Sequence, residues 1–575
     1  MNFKALPTTP LQRIIYVVVA GLLVVVISLP FTFRQTGQVA VDKTPPRFSA
    51  SRAFETTQEY VTQFPTRRFG SLEARQSTGY LSDRLMAIGY EVEYINYDGR
   101  IGGGQQAGRN VLAYKQGETD EIIAVTAHFD TARPAVQGAA KNGAAVGVLM
   151  ELAELFSKEN TGRSLLFAFT DGGEWGSTGA NDLVLNYEKK DRIAAALTLD
   201  YVVPGDLAGF RLDTIGQLDG STPPKIRNLA EDVIKVQTPL FSVKSGWMKL
   251  LENVFMISGS EQGPFLKNGI PAINLGSFSS DPKREKIIIH SAEDKIENLK
   301  IETIDKYGRV AEQIVRSLTE SPDISRYSYW VGKNVPGNTC FVMVIIMALV
   351  ALQYIRSSRK NINLAQTGRE LLAFLAAWIP FLILFLGIRL AYVARQFPFY
   401  DLYPAIAKDN AMQNPQWKVL AIIAVGTLFA AIAAWIIARY FLREWTKPDH
   451  GNSCVALWGV MAVTFFLAAV YNPFWAVVFF AAPAILWPMP KTVKNAEDCA
   501  GRRIFDIACI VITAIPACLA FWWLASQLGF GWNFFWYQTL AMTTGLFSPW
   551  AYFMGTAVIA VGIRLIVITQ YRPMD

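Results

Sequence analysis

Two of the three histidines in this 575-residue chain lie in segments whose residue types could do chemistry. His128 and Asp130 close the apolar segment IIAVTAHFD. Residues i and i+2 of an extended chain point to the same side, so the Asp130 carboxylate can orient the His128 imidazole, as carboxylates do for metal-binding histidines. His290 lies in IIIHSAED, where we predict that it ends another strand. An H-x-D pattern alone is more often structural than catalytic.

Two carboxylates occupy comparable places in the sequence. Glu174 lies in the glycine-rich segment DGGEWGSTGA after the apolar run SLLFAFT, and Asp200 ends the run LTLD. Two imidazoles and two carboxylates at the ends of predicted strands form a ligand set that suits zinc. The first 339 residues contain no cysteine, which excludes a disulfide framework or a thiolate metal site in that part of the chain.

The elements that position these residues alternate between strand and helix from about residue 45 to 325. Residues 72–88 and 144–156 have helical periodicity, and EVEYINY, NVLAYKQ, IIAVTAHFD and SLLFAFT are typical of strands. This alternation predicts an α/β domain with a largely parallel sheet and helices on both faces. Functional residues of such sheets collect in loops at the carboxyl ends of the strands.

The composition places a second part of the chain in a membrane. The chain is 51% hydrophobic and only 18% charged, against about 25% charged in ordinary soluble domains. The net charge of +7 divides into +9 from residue 331 onward (18 basic, 9 acidic) and −2 before it (36 basic, 38 acidic). Basic residues that flank apolar runs are orientation signals rather than a nucleic-acid-binding face, and we expect no nucleic-acid partner.

The apolar runs predict eight membrane spans. Residues 13–31 form an anchor after a short N-terminal segment, 1–12, and residues 337–570 form an all-α domain of seven spans. We place these seven spans near 339–355, 370–393, 417–442, 454–471, 473–489, 504–528 and 549–568. Segment 534–547 is either a half-span or an interfacial segment.

Lysines and arginines are concentrated in the loops 356–369, 440–453 and 490–503, which predicts that these loops and the N-terminus are cytoplasmic. The α/β domain, residues 45–325, is then extracytoplasmic. The chain contains no Asn-x-Ser/Thr sequon, which favours a prokaryotic cell membrane over a glycosylating lumen. Arg389 and Arg564 fall inside predicted spans, where arginines either face the bundle interior or extend to the interface.

The soluble part resembles a known family over residues 50–320. The segments that carry the resemblance are AVTAHFDTA, GAAKNGAAVGVLMELAELF, DGGEWGSTGA, GPFLKNGIPAINLG and HSAEDKIENL. They resemble the zinc aminopeptidases of the MH clan, peptidase family M28, which also includes glutaminyl cyclases and the nicastrin and transferrin-receptor ectodomains. The resemblance implies a central mixed sheet with helices on both faces and a metal site at its carboxyl edge.

The resemblance also implies a degraded site. His128, Glu174, Asp200 and His290 match metal-ligand positions of the family, with Asp130 orienting His128. The position of the bridging acid is occupied by Lys141, and the position of the general base by Gly173. Lys141 then either pairs with Glu174 or Asp200 in place of a metal or is a solvated loop lysine. We expect no catalytic residue and no cofactor, with a single zinc as the alternative.

The layout of anchor, soluble domain and multispan part resembles the attachment subunit of the GPI transamidase. That resemblance implies a membrane-anchored pseudopeptidase that binds or scaffolds a peptide or lipid-linked substrate, together with other membrane subunits. The alternative is a zinc-dependent aminopeptidase that hydrolyses peptides outside the membrane. Transport through the helical part is a third hypothesis, which rests only on Arg389 and Arg564.

Overall fold

The computed structural model describes two compact units of the chain. The first comprises residues 40–321, apart from 102–103, 133–134, 218–219, 239–250, 253 and 256–257. The second comprises residues 363–394, 415–444, 450–481, 483, 508, 512–526, 531–544 and 549–570. The predicted anchor at 13–31 and the predicted span near 339–355 lie outside the described residues.

The first unit is built on a seven-stranded mixed sheet with the strand order β1-β2-β4-β3-β5-β7-β6. Its strands are β1 (Val92–Ile101), β2 (Gly104–Lys115), β3 (Thr119–His128), β4 (Arg163–Thr170), β5 (Ile193–Leu199), β6 (Leu207–Asp213) and β7 (Ala272–Ser279). The central pairs β4–β3, β3–β5 and β5–β7 are parallel. The pairs β1–β2, β2–β4 and β6–β7 are antiparallel, which confirms the mixed sheet that the family resemblance implies and corrects the largely parallel sheet predicted from the alternation of strand and helix alone.

Helices cover both faces of this sheet. They are α1 (Ala50–Gln63), α2 (Leu72–Ala87), α3 (Ala144–Ser157), α4 (Thr178–Asn186), α5 (Pro224–Gln237), α6 (Gln262–Lys267), α7 (Pro282–Ile288) and α8 (Ile301–Glu320). Side chains of one strand alternate between two apolar clusters: in β3, Ile123 and Val125 join one cluster, and Ile122 and Ala124 join the other. Because both faces are buried, the strand is an uninterrupted apolar run in the sequence.

The segment before His290 is a helix, so the prediction that His290 ends a strand is wrong. Helix α7 begins after Asp281, whose carboxylate accepts hydrogen bonds from the backbone N–H groups of Lys283 and Arg284 at 3.2 and 3.1 Å. Pro282 occupies the first helical position, where its fixed φ suits a helix. The N-terminal cap therefore outweighs the strand preference of the three consecutive isoleucines.

The second unit is helical in the residues described. Its helices are α9 (Leu364–Val393), α10 (Trp417–Glu444), α11 (His450–Tyr471), α12 (Ile512–Ser526), α13 (Phe534–Thr544) and α14 (Pro549–Gln570), with short helical turns at Pro473–Trp475 and Ala476–Ala481. Three of these helices, α9, α10 and α14, are long and apolar enough to cross a membrane, which is consistent with a membrane protein. A total of eight spans stays a prediction.

Two of the sequence expectations for this unit can be compared with its described helices. Segment 534–547, predicted as a half-span or an interfacial segment, contains α13. The helices from Ile512 to Ser526 and from Gly531 to Thr539 meet at a bend of 119°, so the pair counts as at most one broken span. Arg564 does not extend to an interface, because it is fully buried and pairs with Glu370 at 2.8 Å. Its Nη1 also donates to the carbonyl of Ala438. The arginine therefore joins α9, α10 and α14.

Candidate functional site

The site lies at the carboxyl ends of β3, β4 and β5. One asparagine side chain connects the backbones of β3 and β5 through hydrogen bonds. Asn142 is fully buried and donates hydrogen bonds to the carbonyls of His128 and Leu199 at 3.2 and 3.1 Å. Its side-chain oxygen accepts the backbone N–H of Tyr201 at 3.0 Å. These bonds join the turn Ala139–Gly143, which precedes α3, to the ends of β3 and β5 and fix the direction of the neighbouring side chains.

A buried aspartate holds the same turn from the opposite side. Asp294 accepts the backbone N–H groups of Ala140 and Lys141 at 2.6 and 3.1 Å. Burial raises the pKa of Asp294 to about 6, although these two N–H groups act in the opposite direction. The backbone at Lys141 is thus held by Asp294 and Asn142, which determines where the lysine side chain enters the site.

The Lys141 ammonium lies among the side chains that the sequence placed at metal-ligand positions. Its Nζ donates a hydrogen bond to Asp200 and lies 3.2 Å from His128 Nε2 and 3.8 Å from Glu174 Oε1. Only 13% of the Lys141 side chain is exposed. Lys141 is therefore not a solvated loop lysine, and it pairs most closely with Asp200.

The ammonium of Lys141 and the neighbouring carboxylates stabilise one another in their charged forms. Burial alone would lower the pKa of Lys141, but Asp200 and Glu174 raise it, so the ammonium keeps its charge. Burial alone would raise the pKa of Asp200, but the ammonium of Lys141 and the neighbouring His128 hold it well below its usual range. The centre of the site is accordingly an ion pair at neutral pH.

Asp130 orients His128, as the sequence pattern suggests. The Nδ1 of His128 lies 3.1 Å from Asp130 Oδ1, and both side chains are buried. Asp130 also accepts the backbone N–H groups of Gly173 and Glu174 at 2.6 and 3.1 Å. His128 Nδ1 thus faces Asp130, and its Nε2 faces both Lys141 and Asp200.

Glu174 and His290 form the outer part of the site. His290 Nε2 lies 3.1 Å from Glu174 Oε1 and 3.0 Å from Oε2. Burial alone would raise the pKa of the Glu174 carboxyl, but His290 and Lys141 lower it to about 2. The His290 side chain is 21% exposed, more than any other member of the group, and it therefore lies nearest to solvent.

Gly173 packs against His128 so closely that a side chain cannot be added there without rearrangement. A Cβ built on Gly173 would lie 2.1 Å from Cγ and 2.3 Å from Cβ of His128. Real Cβ atoms do not approach other atoms so closely, so a glutamate at this position would displace the imidazole. The close packing against His128 therefore favours glycine at position 173.

A metal does not fit the arrangement as it stands. The position where a cation would meet Asp200, His128 and Glu174 is taken by the Lys141 ammonium, and two cations cannot share it. Within the described part of the chain, no group of three or more His, Cys, Asp or Glu side chains has a geometry that could hold a metal ion. The assignment of His128, Glu174, Asp200 and His290 to metal-ligand positions stays a prediction.

Three buried residues near the site carried no clear signal in the sequence. Glu261 lies in the segment SEQGPF, and its carboxylate accepts hydrogen bonds from Thr126, at 2.9 Å, and from Thr170. Arg67 donates to the carbonyls of Phe129 and Gln137 at 2.9 and 3.0 Å and so holds the loop after β3. Tyr307 of α8 accepts the backbone N–H of Asp200 at 3.1 Å. Each acts through contacts between distant parts of the sequence.

Comparison with known proteins agrees with this architecture. The model of Peptidase family M28 matches residues 110–315. The "Alkaline phosphatase isozyme conversion protein" of Escherichia coli is 27% identical over 196 residues, which cover 30% of this chain and 55% of that protein. Transferrin receptor protein 2 of Rattus norvegicus is 28% identical over 210 residues, which cover 33% of this chain and 25% of the receptor. The chain thus spans about half of the first relative and a quarter of the second.

Solved structures with a similar chain path include the Porphyromonas gingivalis glutaminyl cyclase, with 21% identity and a TM-score of 0.40. The match covers 48% of this chain and 98% of the cyclase. The zinc aminopeptidase BSAP from Bacillus subtilis matches with 14% identity and a TM-score of 0.40, over 49% of this chain and 98% of that protein. The mixed α/β domain, with His128, Glu174 and Asp200 at the carboxyl edge of its sheet, thus belongs to the aminopeptidase-like superfamily, and because its residues 110–315 match Peptidase family M28 we refer to it as the M28 domain.

Proposed function

We propose that the M28 domain is a binding module without peptidase activity, in a membrane-anchored chain that binds or scaffolds a peptide or lipid-linked substrate. The observation that carries the proposal is the Lys141 ammonium, which contacts Asp200 and His128 where a metal ion would have to sit. Members of the family that hydrolyse peptides need a metal to polarise the carbonyl and activate a water. An ammonium at the same place does not activate water.

The second requirement of hydrolysis is a general base, and the family resemblance places Gly173 at that position. General-base catalysis typically contributes about 10²–10⁴-fold to the rate. Gly173 has no side chain, and the nearby Glu261 is engaged by Thr126 and Thr170 inside the protein. Loss of both the metal and the base points to a domain that retains its fold for binding.

Two further observations support binding at a membrane. The curated relatives include several transferrin receptor proteins, which their names describe as receptors. The helices α9, α10 and α14 of the same chain are apolar enough to span a bilayer. We propose that other membrane subunits assemble on these helices.

The arrangement in the membrane is part of the proposal. With eight spans and a cytoplasmic N-terminus, as the distribution of lysine and arginine favours, the M28 domain faces outward and the C-terminus is cytoplasmic. A fluorescent protein that folds only in the cytoplasm, fused after Asp575, should fluoresce in a bacterial host. A dark fusion at normal expression level would contradict an even number of spans.

The experiment for the function uses the full chain, purified in detergent without a histidine tag and incubated with zinc. We expect no release of amino acids from aminoacyl reporters and less than one zinc per chain after removal of the excess. The same preparation should bind N-terminally free peptides or lipid-linked peptides, as measured by fluorescence anisotropy. Hydrolysis that chelators abolish would overturn the proposal. If neither class of ligand binds, the proposed binding role is wrong.

One observation favours the second candidate, a zinc-dependent aminopeptidase. His128, Glu174, Asp200 and His290 all lie at one edge of the sheet, as the ligands of such an enzyme would. This candidate requires Lys141 to leave the site and zinc to enter. The metal content measured in the same experiment distinguishes the two.

A further inference from the structure

We propose that Lys141 is a tethered cation that replaces a metal ion, and that its ammonium keeps divalent metals out of a site whose other ligands remain in place. The inference rests on the proposed function, because it gives a reason why the domain of the native chain would hold no metal. It adds that the exclusion is due to one side chain. Removal of the lysine charge should therefore create a metal-binding site.

Two of the groups around the ammonium are spaced as two zinc ligands would be. His128 Nε2 and Asp200 Oδ1 lie 3.6 Å apart, and both contact Lys141 Nζ. Two ligands of a tetrahedral zinc, with bonds of about 2.1 Å, lie about 3.4 Å from each other. The two side chains are thus already separated as two ligands of one zinc would be. Glu174 Oε1, 3.8 Å from Nζ, would have to move inward by more than 1 Å.

Hydrogen bonds from other residues hold these two side chains in place. Asp130 holds the His128 ring through Nδ1, and Tyr307 binds the backbone N–H of Asp200. Metal ligands are usually oriented in this way by a second set of hydrogen bonds. Because Asn142 and Asp294 hold the backbone of residue 141, a shorter acidic side chain at that position would begin from the same place.

The negative charge around Lys141 also favours a cation at this place. Three carboxylates, those of Asp130, Glu174 and Asp200, surround the Lys141–His128 pair in a region with little solvent. Buried carboxylates are stable only when a cation or several hydrogen bonds compensate for their lost hydration. Without the ammonium, a divalent cation is the ligand that best restores the balance.

The test compares the full-length wild-type protein with Lys141→Asp and with Lys158→Asp. Lys158 is a solvent-exposed lysine that pairs with Glu154 and provides the same change of charge away from the site. Each protein is stripped with a chelator, incubated with zinc, freed of excess metal and analysed for zinc per chain. We expect one additional zinc in Lys141→Asp and none in the other two. At a zinc concentration of 100 times Kd, the Tm of Lys141→Asp should rise by about 5–10 °C.

Two further variants keep the test decisive. If Lys141→Asp does not fold without metal, Lys141→Ala removes the ammonium without adding an acid and should still be stabilised by zinc, although more weakly. His128→Ala in the Lys141→Asp background should abolish the zinc uptake, because it removes a ligand. If neither Lys141 variant gains zinc while the wild type is metal-free, the inference is wrong and the proposed function stands. Stoichiometric zinc in the wild type contradicts both.

Discussion

The two units of the chain each bury charged side chains, but they stabilise them in different ways. In the M28 domain, the Lys141–Asp200 pair lies at the ends of strands and is surrounded by His128, Glu174 and backbone N–H groups. In the helical unit, Arg564 and Glu370 form a pair with no exposed surface on either side chain. The apolar cluster beside this pair includes Phe374, Ala438, Leu457 and Leu565.

The difference is informative about function. The Lys141 cluster is a network in which every charge has several partners, located at the sheet edge where α/β folds place their chemistry. The Arg564 pair is local: Nε and Nη2 both donate to one oxygen, Glu370 Oε2. Within the described part of the protein, the other oxygen, Oε1, has no hydrogen-bond partner. The first cluster is therefore the candidate functional site, and the second connects three helices.

Removal of one partner from the isolated pair should have the largest effect. Arg564→Leu leaves Glu370 charged and buried among α9, α10 and α14, and such losses typically cost about 3–5 kcal/mol. Thermal denaturation of the full chain in detergent, followed by helical circular dichroism, measures the loss. The double variant Arg564→Leu/Glu370→Leu should recover most of it. A double variant as unstable as the single one would contradict the interpretation as a charge pair.

The corresponding change in the network should cost less. Lys141→Met keeps the length of the side chain but removes the ammonium, and we expect a loss of about 3 kcal/mol because Asp200 loses its closest partner. His128, whose Nε2 lies 3.6 Å from Asp200, can compensate in part. Denaturation of the M28 domain, monitored within the full chain, provides the value. A loss larger than that of Arg564→Leu would reverse the comparison.

Glu174 gives the network a defined pH dependence. Its pKa is lowered from 4.5 to about 2, so its contribution is complete above pH 4.5 and disappears as the pH falls toward 2. Glu174→Gln should therefore cost about 2 kcal/mol at pH 7, somewhat less than the full shift implies because the amide still accepts a hydrogen bond. The difference in unfolding free energy between wild type and variant should vanish near pH 2. A difference that is constant with pH would exclude an electrostatic contribution.

The packing at Gly173 should have the smallest effect of the four. Gly173→Ala places a Cβ against the His128 ring, and we expect a loss of about 1–2 kcal/mol from the overpacking. Gly79→Ala is the matched control, because it lies in α2 with nothing within 4 Å of its new Cβ and should be neutral or stabilising. If Gly173→Ala is tolerated as well as Gly79→Ala, the imidazole can move and the base position is not closed by packing.

The sequence was sufficient to predict the central strands and which side chains meet at their carboxyl ends. The strands β3, β4 and β5 are apolar runs that end in polar residues, and this pattern located His128, Glu174 and Asp200 at one edge. Strand direction is not contained in such a pattern, so the antiparallel edges were expected only from the family resemblance. The helix α7 was missed because the cap at Asp281 decides its conformation against the preference of its isoleucines.

The residues that support the two clusters could not be predicted from the sequence, because their contacts join distant positions of the chain. Glu261 contacts Thr126, which is 135 positions away, and Glu370 contacts Arg564 at a separation of 194 positions. No local periodicity records such pairs. Arg564 could be singled out as a charge in an apolar run, whereas Glu370, near the start of its helix, looks like an ordinary end-of-helix residue in the sequence.

The central claim is that Lys141 takes the place of a metal in an M28 domain that does not hydrolyse peptides. The most direct test is the zinc content of the full-length wild-type protein after incubation with zinc and removal of the excess. The account predicts much less than one zinc per chain, with no release of amino acids from aminoacyl reporters. One tightly held zinc per chain, lost together with peptidase activity on chelation, would contradict it.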